Sequence, residues 1–264
     1  MNQWDLRGED YISRIQQGKR FADGKIIQAK NIVPLLESVI KSGDKICIEG
    51  DNQKQADFLA KALCKIDAQK VNHLHMIQST IALPEHLDVF EKGIASKIDF
   101  AYSGPQSKRL AKMIQDGTVK VGAIHTYMEL YGRYYVDLTP RVALVVGLQA
   151  DKNGNLFTGG STEDTPAIIE AVKARKGIVI AQVNKIVDKL PRIDFSGDWV
   201  DFIVESPSPF TLEPLFTRDP AKISNKRILK AMMALQLYKE YNIKTLNHGI
   251  GYDTAAIELL LPTY

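Results

Sequence analysis

Two short polar turns carry the residues best placed to do chemistry. Glu49-Gly50-Asp51-Asn52-Gln53-Lys54-Gln55 follows a strand-like apolar run, and Asn247-His248-Gly249-Ile250-Gly251-Tyr252-Asp253 follows another. Each leads into a helix-like stretch, and ligands of open α/β sheets bind at this junction. Free backbone N–H groups and the positive end of the helix dipole favour a carboxylate, phosphate or thioester oxygen there. In the first turn, Gly50 offers a close backbone approach and Asn52, Gln53 and Gln55 offer amides suited to a carbonyl, while Lys54 would attract a carboxylate. In the second, Gly249 and Gly251 bracket one isoleucine beside Asn247. Glycines let a backbone approach a ligand and present N–H groups, the ingredients of an oxyanion hole. The plainer reading is a capped bend, because Asp51, Asn52 and Asp253 are good helix N-caps, and for Asp253 capping is the expected role. Neither turn carries a phosphate-loop or dinucleotide fingerprint.

The histidines and cysteines point elsewhere. His73 and His75 alternate along a strand, and Cys47 and Cys64 have no metal-ligand spacing to them, so no zinc site is expected. His125 opens a helix with Glu129 four residues on, which predicts a structural pair and makes His125 a secondary candidate for the site. His86 follows Pro84-Glu85 and is expected in solvent. No Gly-x-Ser-x-Gly elbow supports a hydrolase. The basic clusters Lys108-Arg109 and Lys173-Ala174-Arg175-Lys176 read as solvated helix surface.

These turns need a framework to hold them. The pattern is a short apolar run, a polar turn and an amphipathic helix, repeated. Strands are expected over 45–49, 74–78, 98–102, 119–123, 142–148, 178–183 and 199–204. Helices are expected over 31–40, 53–65, 87–92, 106–115, 126–133 and 165–175. Uninterrupted runs such as Val142-Ala143-Leu144-Val145-Val146 are buried on both faces, so the fold class is α/β with a mostly parallel sheet flanked by helices. Asp151-Lys152-Asn153-Gly154-Asn155 predicts a hairpin tip and a small antiparallel excursion near 145–160. Five prolines between 184 and 225 predict irregular chain along a sheet edge. Near the end, a helix over 226–241, a strand over 243–246, the second glycine turn and a helix over 254–261 repeat the order of elements around the first turn. The expected division is a first domain over 1–224 and the opening of a second, related one over 225–264.

Composition sets the outer limits. The 264 residues can bury a large core, and 45% hydrophobic with 25% charged residues is ordinary for a globular chain. A net charge of +3 gives no argument for nucleic acid, and no apolar run is long enough to span a membrane. Two cysteines on a strand and a helix read as buried thiols, which fits a reducing, cytoplasmic setting.

Longer segments carry a resemblance. Glu49-Gly50-Asp51-Asn52-Gln53-Lys54-Gln55-Ala56-Asp57-Phe58-Leu59, Ala82-Leu83-Pro84-Glu85-His86-Leu87 and Ala123-Ile124-His125-Thr126-Tyr127 are three of them. Thr162-Glu163-Asp164-Thr165-Pro166, Glu213-Pro214-Leu215-Phe216-Thr217-Arg218-Asp219-Pro220 and the whole of 247–264 complete the set. Together they resemble malonate decarboxylase alpha subunits, across essentially the whole chain.

The resemblance implies a CoA-transferase-like fold of two related α/β domains, of which the chain covers the first and the opening of the second. It implies an acyl-carrier-protein transferase that turns acetyl carrier and malonate into malonyl carrier and acetate. The thioester sits on the carrier's phosphoribosyl-dephospho-CoA prosthetic group, and CoA is a further candidate ligand. The implied partners are the carrier protein and decarboxylase subunits. In many relatives of this fold a glutamate of the second domain attacks the thioester. Its position would fall beyond Tyr264, so no nucleophile is assigned and the 264 residues are expected to be incomplete for catalysis. Two rival readings share the fold: a citrate lyase alpha-type or acetate CoA-transferase relative, and a non-catalytic assembly or ligand-sensing domain.

Overall fold

Runs of β-branched and aliphatic residues dictate the centre of the molecule. The structure, a computed structural model, describes residues 3–50, 54–160, 164–210, 220–247, 249 and 251–263. The chain divides into two compact units, Met1–Thr211 and Leu212–Tyr264, and each is described by itself.

The first unit begins with helix α1 (Gln3–Gly18), the short strands β1 (Ala22–Asp23) and β2 (Ile26–Ile27), and helix α2 (Ile32–Val39). Strand–helix alternation follows: β3 (Lys45–Ile48), α3 (Asp57–Leu63), β4 (Leu74–Thr80), α4 (Glu85–Glu91), β5 (Ala95–Tyr102) and α5 (Ser107–Gln115). It continues through β6 (Lys120–Ile124), α6 (Tyr127–Val136), β7 (Val142–Ala150), β8 (Leu156–Phe157), α7 (Thr165–Ala174), β9 (Ile178–Ile186) and β10 (Phe202–Glu205). The strands form one sheet in the order β1-β2-β10-β9-β7-β3-β4-β5-β6, with β8 on β7. Among the strand pairs of the described residues, β1–β2 and β7–β8 are antiparallel and the others run parallel.

Side chains alternate across the strands, so each central strand feeds two cores. Ile46, Ile48, Met76, Val142, Leu144 and Val146 join one with α2, α3, α4 and α5, while Cys47, Ile77, Ala143 and Val145 join the other with α6 and α7. Both faces are covered, which is what runs without polar alternation require. The expected excursion near 145–160 is the β7–β8 pair: Gln149 faces Phe157 and Ala150 faces Leu156. Its turn is closed by Asp151, whose carboxylate accepts the amides of Asn153 at 2.9 Å and Asn155 at 3.0 Å. Gly154 stands there at φ 93°, a conformation glycine adopts without cost.

Strand β3 leads to β4, β5 and β6 on one side, whereas β7, β9 and β10 lie on the other. The order therefore reverses between β3 and β7, and their carboxyl ends open the crevice where such sheets take ligands.

The second unit holds α8 (Asn225–Glu240) and α9 (Tyr252–Leu260). Ala231, Leu235, Ala255 and Ala256 are buried, and small residues at such positions let two helices approach closely. Asp253 pairs with Arg227 at 3.6 Å and Lys230 at 3.4 Å. The expected strand over 243–246 is not formed, because among the described residues it has no partner strand. Asp253 is not the cap of α9 either. Gly251 holds that position without a side-chain bond, and Asp253 sits in the first turn. No helix among the described residues is long and apolar enough to cross a membrane.

Candidate functional site

The crevice between β3 and β7 is built from buried charge. Glu49, one residue past β3, is 1% exposed and its Oε2 accepts the Val146 amide of β7 at 2.8 Å. Its Oε1 lies 2.9 Å from Lys54 Nζ and accepts the Thr165 hydroxyl, which in turn accepts from Lys54. Lys54 is wholly buried. Removing two such ions from water costs several kcal/mol each, which only close geometry and added hydrogen bonds can offset. Beside them Asp164 accepts the Tyr131 hydroxyl. Tyr131 stacks on Tyr134 at 6.1 Å, and Tyr134 reaches Cys47 Sγ at 3.9 Å. Burial, then the nearby Asp164 carboxylate, pushes the Cys47 thiol well above its usual range, so it is held as an inert thiol.

This network reshapes the first glycine turn. Helix α3 begins at Asp57, four residues after the expected start, and Gly50 instead forms an antiparallel bridge to Gln55. With Lys54 drawn into the core by Glu49 and Thr165, the chain must double back before a helix can start. Ala56, not Asp51 or Asn52, is the N-cap of α3. The backbone at Gly50 passes close to two side chains: a Cβ there would stand 2.5 Å from Gln55 Oε1 and 3.1 Å from His86 Cε1. Asp51, Asn52 and Gln53 lie outside the described residues.

Around the same strand ends, among the described residues, sit buried polar atoms without hydrogen-bond partners: Gln55 Oε1, both amide atoms of Gln78 and Ser79 Oγ. Each such atom costs roughly 1–3 kcal/mol when left unpaired, so native folds tolerate few. By strand alternation Gln78 faces the α3–α4 side and Ser79 the Glu49 side. His86 is thus buried rather than in solvent, because the first turn of α4 points into the sheet. Burial pushes its imidazole down to about 4, so it is neutral near pH 7. Glu49, Gln78 and Thr165 do not stand out as site residues in the sequence, and His86, expected in solvent, is the one misplaced by it. The segments containing Glu49, His86 and Thr165 do stand out, but only the fold turns those three inward.

His125 belongs to a separate cluster. Its Nε2 lies 2.9 Å from Asp99 Oδ1, while His75 Nε2 lies 2.7 Å from Asp99 Oδ2. Its Nδ1 lies 3.1 Å from Glu129 Oε1, the expected structural pair. Burial raises the Asp99 pKa, but hydrogen bonds from His125 and His75 outweigh it and hold the carboxyl below its ordinary value. His125 stands beside β6, three strands from β3 and so about 14 Å away at the usual spacing. Among the described residues no group of three or more His, Cys, Asp or Glu is placed to hold a metal ion.

The second glycine turn lies in the other unit. Asn247 and Gly249 are exposed, and the Gly251 carbonyl accepts Thr254 Oγ1 at 2.9 Å and the Ala255 amide at 2.8 Å. His248 and Ile250 lie outside the described residues.

Comparison with known proteins decides the family. Residues 3–264 match the family described as malonate decarboxylase, alpha subunit, transporter. The chain belongs to the malonate decarboxylase alpha subunit family. It is 57% identical over 263 residues to the acetyl-S-ACP:malonate ACP transferase of Malonomonas rubra, covering 99% of this chain and 48% of that protein. It is similar to a chain of a Pseudomonas malonate decarboxylase hetero-tetramer crystallised with malonate, at 51% identity and TM-score 0.92, covering 100% of this chain and 49% of that one. An acyl-CoA transferase of E. coli O157:H7 (19% identity, TM-score 0.61, 80% of this chain and 56% of that one) shares the fold alone. This malonate decarboxylase alpha-type chain spans about half the length of the first two relatives.

Proposed function

We propose that the chain is the first-domain part of an acyl-carrier-protein transferase that exchanges acetate for malonate on the carrier thioester. The observation that carries this reading is the 57% identity to the Malonomonas rubra transferase over nearly the whole chain. The division into a first domain over 1–224 and the opening of a second over 225–264 is part of the same proposal.

Exchange of one carboxylic acid for another on a thioester needs two things: the acceptor held against the acyl carbonyl, and stabilisation of the tetrahedral oxyanion. Backbone amides after Gly50 supply the second, and Asn52, Gln53 and Gln55 hold the carbonyl or the acid. Asn247, Gly249 and Gly251 offer donors of the same kind within the second unit. Lys54 acts indirectly, because its charge is matched by Glu49. It fixes the base of the turn rather than meeting the acid. The unpaired amide of Gln78 and the neutral His86 give the same strand ends spare hydrogen-bonding capacity for a substrate or its waters. A mixed anhydride and an acyl-enzyme route both suit this arrangement. The carrier's phosphoribosyl-dephospho-CoA arm is a substrate, carried by a partner protein; decarboxylase subunits are the further partners and the cytoplasm is the setting.

The test is an exchange assay with acetylated carrier protein and malonate. The chain is supplied alone and together with a polypeptide matching the other half of its relatives. Acetate release and malonyl carrier are expected only with both halves present. Exchange with citrate but not malonate would replace the substrate assignment, and no exchange with any acid would leave a non-catalytic assembly domain.

A further inference from the structure

Helix α7 starts with a hydroxyl that serves something other than the helix. Asp164 holds its N-cap position without a side-chain cap bond, and Thr165, the first helical residue, is wholly buried. Polar side chains at a helix start ordinarily satisfy its free amides. The Thr165 hydroxyl instead donates to Glu49 Oε1 and accepts from Lys54 Nζ. Glu49 and Lys54 also meet directly at 2.9 Å, and Glu49 Oε2 accepts the Val146 amide at 2.8 Å. A hydroxyl has one proton to give, so a single orientation satisfies both partners. Side chains from the end of β3, the first turn and α7 thereby fix one another.

Lys54 carries this restraint to the turn. Gly50 and Gln55 form an antiparallel bridge, and Lys54 is the residue before Gln55. Neighbours along extended chain send their side chains to opposite faces. Lys54 accordingly runs to Glu49 and Thr165, while Gln55 lies against Gly50, where a Cβ would stand 2.5 Å from its Oε1. That oxygen is buried and has no hydrogen-bond partner. Holding Lys54 therefore holds the backbone that carries Gln55 and sets its distance from Gly50. Next to a reacting acyl group such placement decides rate, because a shift of about 1 Å can cost about a hundredfold.

We propose, on the transferase reading above, that Thr165 is a positioning residue for acyl exchange, acting through Lys54 on the Gly50–Gln55 bridge without touching substrate. A hydroxyl suits this role where other side chains would not. A third ionised group would unbalance a buried pair that is neutral as a whole. An apolar side chain would remove one of the bonds that fix the ammonium.

Thr165→Val keeps the shape of the side chain, deletes both bonds and leaves Glu49 paired with Lys54, so no charge is stranded. In the enzyme assembled with the other half of its relatives, this variant should lose about 10–100-fold in kcat for acetyl–malonate exchange. KM for malonate should stay within about twofold, because the loss falls on the transition state and not on ground-state binding. Thr165→Ser, which keeps the hydroxyl, should restore most of kcat. In the full chain alone, amide hydrogen exchange of Thr165→Val should quicken over 49–56, with β7, β9 and α7 as protected as in the parent. A Thr165→Ser variant as slow as Thr165→Val would overturn the proposal, and so would a loss of kcat accompanied by faster hydrogen exchange throughout the sheet. An active parent matched by Thr165→Val would defeat this inference alone. A parent without exchange activity would defeat the transferase reading and this inference with it.

Discussion

Lys54 shows how one residue can change meaning between sequence and structure. As a letter beside Asn52 and Gln53 it suggests a hook for a substrate carboxylate. In the fold its ammonium is wholly buried on Glu49 and Thr165. A buried pair of this kind adds little over an apolar pair, yet breaking it strands a charge. Lys54→Met should therefore destabilise the first unit by about 3–5 kcal/mol in urea unfolding, and Glu49→Leu added to it should restore most of that loss. Independent, additive losses would show that the two side chains do not act as a pair. His86 offers a second test through pH. Its imidazole titrates near 6.5 when unfolded and is pushed down to about 4 by burial in the fold. The unfolded chain thus takes up a proton first, so the stabilising contribution is full above pH 6.5. It is lost progressively as pH falls toward 4. The difference amounts to roughly 3 kcal/mol. Melting curves between pH 7 and pH 4 should fall more steeply for the parent than for His86→Leu. Parallel curves would place the ring in contact with solvent.

At the scale of elements, what was legible followed from the source of each signal. β7 and β9 were readable because each opens on an unbroken apolar run, Val142 to Leu148 and Ile178 to Ala181, as a strand buried on both faces does, and α7 because Thr165-Pro166 opens it where a helix start tolerates proline. The β7–β8 turn was readable from its Asp, Asn and Gly residues. Elements whose existence depends on distant partners were not. α1 has charged residues throughout, and its place depends on Arg14 reaching Asp44 and the Val39 carbonyl. β1 and β2 are two residues long, too short for any period. The late start of α3 comes from a side chain three residues before it being pulled inward. The strand expected over 243–246 had the composition but no partner, and a strand needs a ladder. In the candidate site, the glycine turn was visible because backbone needs leave a mark in residue type. The inward turn of Gln78 and His86 was not, because burial of one polar side chain is decided by the packing of others.

The whole molecule is governed by what covers the second unit. Helix α8 has apolar residues on two opposite sides. Ala231 and Leu235 are buried, whereas Leu229, Met233 and Leu237 form an i, i+4, i+8 row that is 59%, 64% and 52% exposed. Leu259 of α9 and Leu261 just after it are 52% and 42% exposed. A row of this size on one helix marks a contact surface. Relatives of the family carry about as much polypeptide again as this chain covers, and that half is the occupant we expect. Burying three such side chains contributes roughly 1.5–3 kcal/mol each, enough to decide association. Met233→Ser with Leu237→Ser should then lower acetyl–malonate exchange more than tenfold in the assembled enzyme. The melting of the first unit should stay unchanged, since neither residue belongs to its core. Hydrogen exchange on α8 should slow when the other half is added to the parent, and should not slow in the double variant. Exchange activity and α8 protection equal to the parent in the double variant would show that this side faces solvent in the working enzyme, and that the two halves meet elsewhere.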